Sequence, residues 1–231
     1  VIFSISLFYQ VFTDGDLFIG DYHEVLSLSM TAIVQQMYPF SRWNFLWLGG
    51  FPDVLTPISN IYYPLFFPVY ALIPTLATIN LVIILHIFLA YVFFFKLSSL
   101  YVENEWIRAV LSLFYISSGA FLARVVAGQI VIVFSLTWIP LLFYLLFKIL
   151  YHNENTSRNI AFLSICSSIL FFTGGLYTFI FTYIFVGLYV VTLICMRDIA
   201  TPQLKSLGLS ILLTILLVSV QAIPSFSLSG E

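Results

Sequence analysis

Along this chain the apolar positions gather into long unbroken runs parted by short polar breaks, and they do not alternate with polar ones. No residue between Asp53 and Lys96 is charged, and none from Ile160 to Met196. Unbroken runs predict membrane-crossing helices and argue against the period-2 strands of an outer-membrane barrel. Thr75–Leu97 is long enough to cross, with His86 at its centre. A mid-span histidine among apolar neighbours reads more readily as a hydrogen-bonded packing residue than as a ligand. Ala109–Ala123 makes only ~22 Å of helix at 1.5 Å per residue and crosses only with help from its flanks. Ile130–Leu150 predicts a span with a kink at Pro140. The run from Ile160 to Met196 is too long for one helix and divides at Gly174-Gly175. Ser206–Ile223 predicts the last span, closed by Pro224. Before these, Ile61–Pro74 carries Pro64, Pro68 and Pro74, which predict a broken or re-entrant segment.

Val1–Phe12 is too short to cross alone and lacks the basic start of a signal peptide, so it reads as the end of a truncated first span. With a start inside an apolar run and a stop at Glu231 just after a span, the sequence reads as a piece of a longer protein. The expected fold class is all-α. Residues 1–231 form a single transmembrane domain, a polytopic helix bundle of about six full spans plus the truncated one.

Composition sharpens this picture. Hydrophobic residues make up 61% of the chain and charged residues 8%, with a mean hydropathy of +1.09. That leaves too little polar surface to cover a water-soluble globule. The net charge of −2 offers no basic patch for nucleic acid. Cys166 and Cys195 fall inside apolar runs and read as small buried side chains, not as a disulfide framework. Alternating loops put Lys96, Arg108, Lys148, Arg158, Arg197 and Lys205 on one side and Arg42 and Arg124 on the other. The positive-inside bias then predicts a multi-pass protein of the cell membrane with residues 13–63 outside the cytoplasm. It also discounts Asn155-Thr156-Ser157 as a glycosylation sequon, because that loop falls on the cytoplasmic side.

The polar chemistry is concentrated in the extracytoplasmic loop from Thr13 to Tyr63. It holds Asp14, Asp16, Asp21, Glu24 and Asp53, five of the ten acidic residues, together with His23, Trp43 and Trp47. From about residue 22 to about residue 38, Tyr22, Leu26, Met30, Ile33 and Met37 share one helical face and Glu24, Ser27, Thr31 and Gln35 another, which predicts an amphipathic helix lying on the outer surface. Two readings of its acids stay open. Asp21 and Glu24 have N-cap and N3 spacing, and Thr13-Asp14-Gly15-Asp16 has the composition of a tight turn. Alternatively, the clustered carboxylates supply a general base, or Asp14, Asp16 and Asp21 hold a divalent cation such as Mg or Mn. His23 reads as an interfacial residue or as a helper oriented by Glu24. Arg124 is either a snorkelling anchor or a contact for an anionic headgroup or phosphate. Trp43, Trp47, Tyr62 and Tyr63 have the composition of an interfacial aromatic belt, and Gly49-Gly50-Phe51-Pro52 predicts a sharp turn that returns Asp53 to the membrane.

The order of these features resembles the N-terminal half of the GT-C-type membrane glycosyltransferases, most closely the YfhO-like polytopic proteins. The matching elements begin with Gly20-Asp21-Tyr22-His23-Glu24, Trp43-Asn44 and Gly49-Gly50-Phe51-Pro52. Tyr62-Tyr63-Pro64 follows, leading into a broken apolar segment. Then come Ser118-Gly119-Ala120-Phe121-Leu122-Ala123-Arg124-Val125-Val126-Ala127-Gly128-Gln129 and the closing Gln221-Ala222-Ile223-Pro224. The resemblance implies transfer of a sugar from a polyprenyl-phosphate donor to a glycan, lipid or protein acceptor on the outer face of the bilayer. It implies a catalytic carboxylate in the first outer loop, best matched by Asp21 and next by Asp16, with Glu24 beside them. The implied substrate-binding set is His23, Arg124, Asp53, Asp14, Trp47 and Tyr63. Gln129 departs from the pattern, since relatives often carry His there. Two other classes stay open: a transporter or lipid flippase, disfavoured by spans that are nearly free of charge, and a non-catalytic membrane protein of the same fold.

Overall fold

A computed structural model describes residues 63–66, 69, 76–152 and 156–228, and every regular element among them is helical. In order they are α1 (Leu76–Ser98), α2 (Glu105–Ile116), α3 (Gly119–Val126), α4 (Ile130–Phe147), a π-helical turn (Lys148–His152), α5 (Thr156–Phe172), α6 (Leu176–Met196) and α7 (Thr201–Leu228). Four of these helices are long and apolar enough to cross a membrane: α1, α4 with its π turn, α6 and α7. A fifth crossing is possible by length if the bent pair α2 and α3 counts as one span. This is a membrane protein, and helices satisfy their own backbone N–H and C=O groups where no water is present to do so.

Local chemistry sets the breaks. Asn104 caps α2, its side-chain oxygen accepting from the amides of Trp106 at 2.9 Å and Ile107 at 3.3 Å. The short apolar run of residues 109–123 is not one helix. It stops at Ser117, and Ser118 caps α3 by accepting from the Phe121 amide at 3.3 Å. The two pieces meet at 43°. Gly128, at φ 69°, makes the turn into α4. The division expected at Gly174-Gly175 is where α5 gives way to α6, with Gly174 at φ 80°. At the far end α7 starts earlier than the hydropathy suggests. Gln203 reaches back to accept from the Ala200 amide at 2.7 Å, as in the reverse half of a capping box. Its amide nitrogen also donates to the Leu150 carbonyl at 3.0 Å, tying the start of α7 to the π turn. Pro224, expected to end the last span, lies inside α7, which runs on to Leu228. Proline is tolerated in membrane helices where neighbouring groups re-satisfy the freed carbonyl.

Helix α4 is the centre of the bundle. In an 18-residue apolar window of α4 61% of the residues are buried, against 11% in that of α6. It packs between α1 and α5, and Pro140 within it is buried without ending the helix. Helix α5 in turn packs on α7 through small polar residues. The Ser164 hydroxyl donates to its own helix at Ile160 O and approaches Ser210 O at 3.1 Å and Ser210 Oγ at 3.2 Å. Small residues let two backbones approach closely where no water drives them together. The outer face of α6, with Phe181, Ile184, Phe185 and Leu188 exposed, is apolar as a lipid-facing surface must be.

With α2 and α3 taken as one bent segment, short connections make successive segments run in opposite senses, which gives the bundle two ends. Lys96, Lys148 and Arg158 line a common cleft at one end. At the other, Thr173 and Gly175 pack against Ser135 in the first turns of α4. Arg124 and Gln129 belong to this second end.

Candidate functional site

Of the residues singled out in the sequence, Asp14, Asp16, Asp21, His23, Glu24, Trp47 and Asp53 lie outside the described residues, as does the helix expected near 22–38. Tyr63 and Arg124 are described, and they sit in different surroundings.

Tyr63 is completely buried. It opens a turn over residues 63–66, closed by a bond from the Phe66 amide to the Tyr63 carbonyl at 3.2 Å. The turn packs against the middle of the bundle. The Tyr63 ring stacks 5.3 Å from that of Phe134, and Phe66 lies tilted at 5.6 Å from the same ring. Non-helical backbone at this depth is tolerated only where protein encloses it, and here α1 and α4 do so. The side chain therefore does not contribute to an interfacial aromatic belt, although its composition and position predict one.

The Tyr63 hydroxyl joins a closed chain of hydrogen bonds. Trp138 Nε1 donates to it at 2.8 Å, and the hydroxyl makes a short contact with His86 Nε2. The other ring nitrogen, His86 Nδ1, is 2.6 Å from the Val82 carbonyl. A carbonyl oxygen can only accept, so Nδ1 carries the proton, and neutral His86 then has a lone pair on Nε2 for the tyrosine O–H. Every donor has one acceptor, with no charge needed: Trp138 N–H to Tyr63 O, Tyr63 O–H to His86 Nε2, His86 Nδ1–H to Val82 O. The imidazole also stacks on Phe134 at 4.1 Å, and Thr137 Oγ1, which donates to the Val133 carbonyl at 2.9 Å, approaches the His86 carbonyl at 3.2 Å. His86 is wholly enclosed. A closed, fully satisfied network of this kind holds the 63–66 turn against α1 and α4. Among the described residues its donors and acceptors are all paired with one another.

Trp138 and Thr137 were not singled out from the sequence. The available signal was weak: a tryptophan inside a span has an N–H that must find an acceptor, and Tyr63 lies 75 residues away.

Arg124 stands at the end opposite the basic cluster. It occupies the last turn of α3 and is exposed. Its guanidinium donates from Nη1 to Gln129 Oε1 in a short bond, while the Gln129 amide closes the turn on the Arg124 carbonyl at 2.9 Å. Gln129 thus anchors one arm of a side chain with five N–H donors, in a planar fork suited to phosphate oxygens. Its position at the C-terminus of α3 is also the favourable end of the helix dipole for a cation. Among the described residues no group of three His, Cys, Asp or Glu side chains converges as a metal site.

Comparison with protein-family models, curated proteins and solved structures returns no match for this chain.

Proposed function

We propose that this chain is an integral membrane glycosyltransferase of GT-C type that moves a sugar from a polyprenyl-phosphate donor to a hydroxyl acceptor. The reading rests on the order of motifs along the sequence, and one structural observation supports it: the exposed Arg124 guanidinium, braced by Gln129 at the turn between a bent helix pair and the central helix. In the reaction, Asp21 accepts the proton of the acceptor hydroxyl, whose oxygen forms a bond to the anomeric carbon as the bond from that carbon to the lipid phosphate breaks. The departing lipid phosphate carries the negative charge, and Arg124 stabilises it through the donors that Gln129 leaves free. A lipid donor accounts for a cation at the end of the bundle.

The test uses the full chain in membranes with a radiolabelled polyprenyl-phosphate sugar. Asp21→Asn is expected to abolish transfer with expression and insertion unchanged, and Arg124→Ala to lower it at least tenfold, within the range for loss of one transition-state donor. Retained transfer in Asp21→Asn would move the base to Asp16 or Asp14. Movement of the donor across the bilayer without covalent transfer would overturn the enzyme reading in favour of a flippase.

A further inference from the structure

A second feature lies at the opposite end from Arg124. A cleft of about 350 Å³ opens between α1, α4 and α5. Its mouth carries three cations, one from each helix: Lys96, Lys148 and Arg158. Below them the walls are apolar, with Leu141 on α4 and Phe162 and Ile169 on α5. Among the described residues lining it there is no carboxylate, and the one ion pair among the described residues, Arg108 with Glu105 at 3.4 Å, is elsewhere.

Two of these cations have a local explanation. Lys96 lies in the last turn of α1 and Lys148 caps the end of α4, where the helix dipole favours positive charge, and the Lys148 ammonium also sits 5.7 Å over the Tyr144 ring. Among the described residues Arg158 has no such explanation. It lies in the first turn of α5, which has no acidic residue and where the dipole disfavours a cation. An anion held there would gain from the helix N-terminus and from all three side chains together.

The depth of the cleft identifies what carries that anion. From Lys148 back to Trp138 the α4 wall runs about 15 Å at 1.5 Å per residue. That is half of a hydrocarbon core of about 30 Å, or one leaflet. A free phosphate would use only the mouth, whereas a phospholipid would use both mouth and wall.

We propose that this cleft binds one anionic glycerophospholipid from the leaflet at the basic end, its phosphate against Lys96, Lys148 and Arg158 and an acyl chain along Leu141, Phe162 and Ile169. Basic recesses between membrane helices are suited to such headgroups, with about 1 kcal/mol for each Lys or Arg. The three together are expected to favour phosphatidylglycerol over phosphatidylcholine on the order of a hundredfold.

The experiment is native mass spectrometry of the full chain released from phosphatidylcholine nanodiscs doped with phosphatidylglycerol. The expected result is retained phosphatidylglycerol on the parent and its loss in Lys96→Gln/Lys148→Gln/Arg158→Gln. It should persist in Arg197→Gln/Lys205→Gln, which removes two nearby cations outside the cleft. Ile165→Trp, which fills the wall without changing charge, should also lower retention. Equal retention of the two lipids by the parent protein overturns the proposal without any variant having to fold. Equal loss in the Arg197/Lys205 control overturns it in favour of diffuse surface attraction, and displacement by glycerol phosphate as effective as by the lipid overturns it in favour of a phosphate site. Glu154 is the nearest acid in sequence. Glu154→Gln in the parent should leave retention unchanged or raise it, whereas loss of retention on Glu154→Gln contradicts an anion site.

Discussion

Replacing Tyr63 by Phe isolates the buried network, because it removes one oxygen and leaves the ring that packs 5.3 Å from Phe134. Two groups lose their partner: the Nε2 lone pair of His86, fully enclosed, and the Nε1–H of Trp138, which is 8% exposed. No water reaches this depth to replace the hydroxyl. A buried group left unsatisfied costs about 1–3 kcal/mol, so the pair costs about 2–6 kcal/mol. Measured hydrogen bonds in membrane helices fall lower, near ~0.6 and up to ~1.7 kcal/mol, because the unfolded chain in the membrane also finds partners. The expected loss is therefore at the bottom of the range, about 2 kcal/mol. His86→Leu removes one of the two stranded groups in advance. The Val82 carbonyl survives that change, since it still receives the helical amide of residue 86. In the His86→Leu background Tyr63→Phe should then cost about half as much, a coupling of about 1 kcal/mol. Equilibrium unfolding in mixed detergent micelles across the four-variant cycle measures this. A Tyr63→Phe cost within about 0.3 kcal/mol of zero, or an equal cost in both backgrounds, would refute the network as the anchor of the 63–66 turn.

Other substitutions follow from the same geometry. A Cβ on Gly175 would lie 2.1 Å from Ser135 Oγ and 3.2 Å from the Val131 carbonyl. The hydroxyl can yield only by breaking its bonds to Val131 O at 2.8 Å and Thr173 Oγ1 at 2.6 Å. Gly175→Ala should cost about 1–3 kcal/mol of stability in a detergent melt. Gly187→Ala, with nothing within 4 Å, should be neutral or stabilising by up to ~1 kcal/mol on the same assay. Gln203→Ala removes both the Ala200 amide's acceptor and the donor to Leu150 and should cost about 1–2 kcal/mol. Hydrogen exchange should accelerate in the first turn of α7 while its middle stays protected, and uniform acceleration would contradict a local cap. Sugar transfer by Asp21→Asn and lipid retention by the Lys96/Lys148/Arg158 variant test the two ends of the bundle independently.

The helices were legible because in lipid a backbone must satisfy itself, so length and continuity of the apolar runs are nearly sufficient to place them. The span expected over Thr75–Leu97, which is the helix Leu76–Ser98, and the division at Gly174-Gly175 are legible in this way. The short run near residues 109–123 was legible as a problem, and Ser117-Ser118 resolves it as a bend. Pro224 does not end α7, because proline that would break a water-exposed helix is tolerated in a membrane one. The carboxylates of the acidic loop remain a sequence argument, with Asp21 both the best base and the best cap.

What the sequence alone determined is class and order: apolar helices, where they break, and which polar residues sit between them. Which face of each helix turns inward was not readable, because runs apolar all the way round carry no stripe to mark the buried side. The tertiary structure decided that. It made α4 the centre and α6 the periphery. It brought Tyr63 to His86 and Trp138, 23 and 75 residues away, and gathered Lys96, Lys148 and Arg158 at one mouth. Such contacts arise from packing between helices, and no local spacing records them.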